Sequence, residues 1–282
     1  MLSENRFEFT KEDVGLFLKE LAKEYRRLVG KSMPAELILI GGASVLINYG
    51  FRDMTTDIDA LIQASSGMKE AVNRVGDRFG LPNGWLNADF TTTASYSPKL
   101  IEHSVYYKTF SNVLTIRTVS AEYLIAMKLR SGRQYKSDLS DILGILAEHE
   151  KRGASISLSM IRKAVVNLYD DWEAIPVISR EYIQNVMEIG RFSELYEKVA
   201  DSEKETRIGL SQFEKDYPGV LKESNLDTVT KSIQRTGNRE SVLRTLREMA
   251  NREPENQRER ARILLFPRGQ VRFRRTGAAG CQ

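Results

Sequence analysis

The chain has 282 residues, 41% hydrophobic and 28% charged, with a formal net charge of +4. That balance excludes wholesale disorder and suits a globular protein with room for one large or two modest domains. Residues from Pro254 onward hold seven Arg, no Lys and two Glu, a net of +5, which leaves residues 1–253 at −1, so the basicity is a property of the tail.

The first predicted element is a helix over 11–29. Val14, Phe17, Leu18, Leu21, Ala22, Tyr25 and Leu28 recur at three- and four-residue steps, with Thr10 and Asp13 as a capping box and Gly30 as the stop. Residues 36–40 (ELILI) read as a buried strand ended by Gly41-Gly42, and 43–49 (ASVLINY) as a short apolar helix. A second strand is predicted over 56–62, despite two aspartates, and a helix over 65–79. Residues 83–103 have loop character. Residues 104–110 and 113–118 read as two strands around Ser111-Asn112, a hairpin pattern. Helices are predicted from Ser120 to about Arg130 and from Ser137 to Lys151. Further helical stripes follow at 156–168, 182–189, 192–199 and 242–249, while 200–240 is too polar to show a period.

The only cysteine is Cys281, which rules out an intramolecular disulfide and a cysteine-built zinc site. Two histidines, His103 and His149, are too few for a histidine metal centre and read as surface or packing residues. Any metal must rest on carboxylates, which favours Mg²⁺ or Mn²⁺. No apolar run is long enough to span a bilayer and no secretory signal follows Met1, so no membrane partner and a cytoplasmic location are expected.

Asp57 and Asp59 sit at i and i+2 of a predicted strand. Their side chains therefore share a face, about 6–7 Å apart along it, with Ile58 turned to the core. Two carboxylates so placed repel each other, and a shared divalent cation relieves the repulsion. Gly41-Gly42 at a strand-to-helix junction lets backbone approach a phosphate, and the following helix offers its N-terminal N–H groups, with Ser44 adding a hydroxyl. A metal-bound nucleoside triphosphate is the ligand such a pair of features serves.

Leu39-Ile40-Gly41-Gly42-Ala43-Ser44, followed by Arg52-Asp53-Met54-Thr55-Thr56-Asp57-Ile58-Asp59, resembles the signature of the DNA polymerase β-like nucleotidyltransferase superfamily. With Trp85-Leu86-Asn87, residues 121–133 (AEYLIAMKLRSGR), Asp138 and Asp141-Ile142, it is similar to bacterial nucleotidyltransferase-like proteins of the abortive-infection and toxin–antitoxin kind. The likeness spans about residues 35–147. It implies Asp57 and Asp59 as catalytic metal ligands, Gly41, Gly42 and Ser44 as the triphosphate grip, Lys128 on phosphate or base, and Asp141 as a supporting residue. Arg133 and Asp138 are lesser candidates. It also implies a nucleoside triphosphate substrate, a tRNA, protein or small-molecule acceptor, and an antitoxin partner. Taken alone, Lys128 reads as a solvated lysine and Asp141 as a first-turn carboxylate favoured by its helix dipole.

This chain departs from the superfamily pattern in two ways. Ala43 stands where serine commonly follows the glycine, and 113–118 lacks the usual third carboxylate, with Asp89 and Glu102 as nearby substitutes. A catalytically inert nucleotidyltransferase-like binding module is therefore the alternative. The expected fold is α/β (α+β): a small mixed-sheet nucleotidyltransferase core over 1–152, a helical domain over 153–252 and a basic, disordered tail over 253–282.

Overall fold

The computed structural model describes residues 8–133, 136–222, 225–226 and 228–230. The described residues all lie in one compact unit, Met1–Lys231. The predicted helix at 242–249 and the basic tail lie outside the described residues.

Helix α1 (Lys11–Val29) forms where its apolar stripe predicts, and the Thr10–Asp13 capping box is present in both directions. Strand β1 (Ala35–Leu39) leads into α2 (Gly41–Asn48), then β2 (Ile58–Gln63) and α3 (Gly67–Phe79). The 83–103 segment is more ordered than its composition suggests. It holds the two-residue strand β3 (Leu86–Asn87) and short 3₁₀ turns at Asp89–Thr92 and Pro98–Ile101. Strands β4 (Ser104–Phe110) and β5 (Leu114–Val119) make the predicted hairpin. Ser111 and Asn112 both take positive φ, 52° and 51°, the backbone of a hairpin turn matched to strand twist.

The five strands form one sheet in the order β3-β2-β1-β5-β4. β1 is antiparallel to β2 and parallel to β5, so the sheet is mixed. Alternation along β1 splits the interior in two. Leu37 and Leu39 join α1, α2 and α3, whereas Ile38 and Ile40 join the helices that follow β5. Those helices are α4 (Ala121–Ser131), α5 (Asp138–Lys151), α6 (Leu158–Tyr169), α7 (Val177–Ile189) and α8 (Phe192–Asp216). The α/β class with a helical C-terminal region is thus the observed fold. The first part of the polar 200–240 stretch, to Asp216, is helical, with Leu210 and Phe213 of α8 buried. No helix among the described residues is long and apolar enough to cross a membrane.

Candidate active site

The loop from Phe51 to Asp57 is tied down on several sides. Phe9 and Thr55 exchange two backbone hydrogen bonds of 2.7 and 2.9 Å. Tyr196 of α8 donates to the Phe51 carbonyl at 2.7 Å. A Cβ on Gly144 of α5 would fall 2.5 Å from the Phe51 ring, so only glycine lets that ring seat itself there. Thr55 Oγ1 donates to the Asp57 carbonyl at 3.1 Å, and β2 starts one residue later.

Gly41 has φ +56°, a left-handed conformation that glycine takes without strain. A Cβ there would stand 3.6 Å from Asp59 Oδ2. The bare side of Gly41 therefore looks onto the carboxylate. The β1–α2 turn is also fixed to β2, since Ile40 N–H donates to the Asp59 carbonyl at 2.9 Å. Gly42 has a different neighbourhood. A Cβ on it would meet Thr55 Oγ1 at 2.7 Å and Arg52 Nη2 at 2.8 Å. Ser44 is fully buried, and its Oγ has no partner among the described residues.

Asp57 and Asp59 are half-buried. Among the described residues, no hydrogen bond or ion pair reaches the Asp59 carboxylate. Desolvation, then the charge of Asp57, pushes the Asp59 carboxyl up to about 6; Lys136 and Arg133 oppose this, and Asp89 adds a smaller repulsion. Lys136, whose residue surface is exposed, feels the converse. Desolvation and Arg133 lower its pKa against the pull of Asp57, Asp138 and Asp59.

Beside this unpaired site lies a paired one. Arg52 Nη1 bonds Asp141 Oδ2 at 2.5 Å, and Lys128 Nζ reaches the same oxygen at 2.7 Å. Lys128 also meets Asp138 at 3.2 Å, and Arg133 Nε meets Asp138 at 3.0 Å. Lys128, Asp138 and Asp141 are all buried. Read alone, Lys128 is a solvated lysine; here it is enclosed by two carboxylates. Burial works against a charged Asp138, but Lys128 and Arg133 outweigh it and hold that carboxyl down at about 2. Arg133 and Asp138, the lesser candidates, belong to the same chain of contacts as Asp141.

Two residues carry weight that sequence patterns do not signal. Arg52 lies inside the signature stretch but looks like a loop cation until its contacts with Asp141 and Gly42 are seen. Glu203 sits in a polar run, yet it is buried at the first turn of α5. It accepts from Leu139 N–H at 3.1 Å, from Ser140 N–H at 3.4 Å and from the Ser140 hydroxyl. Desolvation pushes the Glu203 carboxyl up to about 7 despite these donors. Both histidines pack against tyrosines, His103 stacked on Tyr123 at 3.8 Å and His149 Nε2 3.2 Å from Tyr49 Oη.

Among the described residues, no third acid joins the pair closely. Among the described residues no group of three His, Cys, Asp or Glu side chains is placed to hold a metal ion. Thr118 of β5, opposite Leu39, occupies the strand position next to the β1 terminus, and its buried Oγ1 lacks a partner among the described residues. Asp89 is exposed at the edge of the site, near enough to repel Asp59. Glu102 ends the Pro98–Ile101 turn and is exposed.

A mixed sheet that brings a Gly-Gly turn against an Asp-x-Asp pair defines a protein of the nucleotidyltransferase-like class. Residues 17–170, more than half the chain, match the family described as nucleotidyltransferase of unknown function (DUF6036), and the chain belongs to that family. No curated protein and no solved structure matches it.

Proposed function

We propose that the chain is a metal-dependent nucleotidyltransferase that moves a nucleotide from a nucleoside triphosphate to an acceptor hydroxyl. One observation carries this: the Asp59 carboxylate, without a partner among the described residues and beside Asp57, faces the bare Cα of Gly41 at the start of α2. Two carboxylates plus phosphate oxygens and water suit Mg²⁺ or Mn²⁺, which are commonly held by one or two protein carboxylates and substrate phosphates. Burial first and the neighbouring Asp57 charge second raise the Asp59 pKa, and a bound cation would offset both by favouring the charged carboxylate.

When bound, the cation neutralises charge on the triphosphate. The remaining tasks fall to this chain. Gly41 and the first N–H groups of α2 hold phosphate, Asp57 and Asp59 fix the cation's place, and the Arg52–Asp141–Lys128–Asp138–Arg133 chain braces the pocket wall. The acceptor oxygen forms a bond to the α-phosphorus as the bond to the β-phosphate oxygen breaks. Pyrophosphate leaves and the hydroxyl proton passes to solvent or a carboxylate.

Acceptors that suit this chemistry are tRNA ends, protein hydroxyls and small molecules. A toxin or phage-defence setting with an antitoxin partner rests on the sequence resemblance. The second reading, a nucleotide-binding module without turnover, is favoured by the lack of a third acid among the described residues. Each nucleoside triphosphate, labelled at the α-phosphate, should be incubated with the full chain, Mg²⁺ or Mn²⁺, and bacterial RNA and protein. Transfer of label by wild type and its loss in Asp57→Asn is the expected result. Binding without transfer supports the module, and neither binding nor transfer refutes both.

A further inference from the structure

Resting on the nucleotide site above, we propose that Arg52 is a second polyphosphate grip, which makes the site prefer triphosphate over monophosphate. The two glycines of the turn face different groups. Gly41 looks onto Asp59, while Gly42 looks onto the Arg52 guanidinium, whose Nη2 and Cζ would lie 2.8 and 3.2 Å from a Cβ. The carboxylates and the guanidinium therefore flank the first turn of α2 from two sides.

Arg52 is held for this task. Its Nε donates to the Met54 carbonyl at 2.9 Å and its Nη1 to Asp141 at 2.5 Å. Those bonds fix the plane of the guanidinium. Nη2 keeps its two N–H groups without a protein acceptor among the described residues. The side chain is 20% exposed. Asp141, 3% exposed, is shared with Lys128 and does not neutralise Arg52 alone.

Arg52, Lys128 and Arg133 form one chain of contacts with Asp138 and Asp141. The first turn of α2 contains no acidic residue, and its N-cap, Ile40, supplies no side-chain acceptor. Buried Ser44 in the same turn has an unpartnered hydroxyl. Positive guanidinium, free helix N–H groups and an unused hydroxyl together call for an anion longer than one phosphate, reaching from the carboxylate-bound cation to Arg52. A monophosphate meets one end only.

The test needs no turnover. Magnesium tripolyphosphate and a nucleoside monophosphate are titrated by calorimetry into full-length wild type, Arg52→Gln, Arg52→Lys and Gly42→Ala. Arg52→Gln should weaken tripolyphosphate binding about 10- to 100-fold, as loss of a charge-assisted pair does, and leave monophosphate binding within about twofold. Arg52→Lys should fall between, because it keeps charge without the fork. Gly42→Ala, which leaves Arg52 intact but intrudes on its position, should also weaken tripolyphosphate selectively. If Arg52→Gln does not fold, the Arg52→Lys and Gly42→Ala results decide. Wild type that binds tripolyphosphate while the folded variants bind it equally well overturns this inference alone. Equal weakening of monophosphate binding also overturns it. Wild type that binds no phosphate compound at all refutes the nucleotide site together with it.

Discussion

The carboxylates of the Asp-x-Asp pair and those of α5 face opposite electrostatic conditions only one guanidinium apart. Asp138 and Asp141 are more deeply buried, yet each meets two cations. Asp57 and Asp59 are more open, yet among the described residues no ion pair reaches either. The deeper pair is satisfied within the fold, and on the proposed function the shallower pair is where a cation and a triphosphate bind. On that reading the contrast separates parts of the molecule that hold it together from parts that take a ligand.

Breaking the satisfied region should cost most. Lys128→Met leaves Asp138 with Arg133 alone and Asp141 with Arg52 alone and should lower unfolding free energy by about 3 kcal/mol, read from denaturant titration. A loss below about 1 kcal/mol would mean that the chain of ion pairs is not needed for the fold.

Glu203 sharpens the comparison, because it anchors the turn of α5 that carries Asp138 and Asp141. Its carboxyl is raised from 4.5 to about 7, so the folded state binds the extra proton. The stability from this group is fully present below about pH 4.5 and is lost as pH rises through about 7, at most about 3 kcal/mol. Asp138, lowered from 3.8 to about 2, acts oppositely, and its contribution is lost only as pH falls toward 2. Glu203→Gln should therefore gain stability relative to wild type between pH 5 and pH 8. A difference that stays flat over that range would show that Glu203 does not titrate there.

The smallest effect on folding belongs to the unpaired region. Asp59→Asn removes a carboxylate whose charged form the fold disfavours. Since the residue is half-exposed, the gain should be only about 1 kcal/mol, measured as a small rise in unfolding temperature. A marked loss of stability would show that Asp59 has a structural partner.

Much of this was legible from residue order. The stripe of α1 with its Thr10 cap, the β-branched run of β1 and the Ser111-Asn112 turn are local signals, and each element formed where that local physics put it. The Gly-Gly and Asp-x-Asp features were legible too, because a glycine pair and alternate aspartates are unusual at strand ends. What stayed hidden depends on long-range contacts. Nothing near Lys128 in sequence shows that Arg52 and Asp141, 76 and 13 residues away, enclose one end of its surroundings. Glu203 likewise gains meaning only once α8 lies on the first turn of α5. The separate roles of Gly41 and Gly42 are set by which neighbour occupies each missing Cβ, a fact of packing rather than pattern.

The unpaired pair as a metal–nucleotide site is the claim on which the rest stands. Its most direct test is calorimetric titration of nucleoside triphosphates into wild type and Asp59→Asn, with and without Mg²⁺. Wild type should bind at least one triphosphate ten times or more tighter with Mg²⁺, and Asp59→Asn should lose that dependence while unfolding at no lower temperature. Binding by both proteins that is indifferent to Mg²⁺, or no binding by wild type, would contradict it.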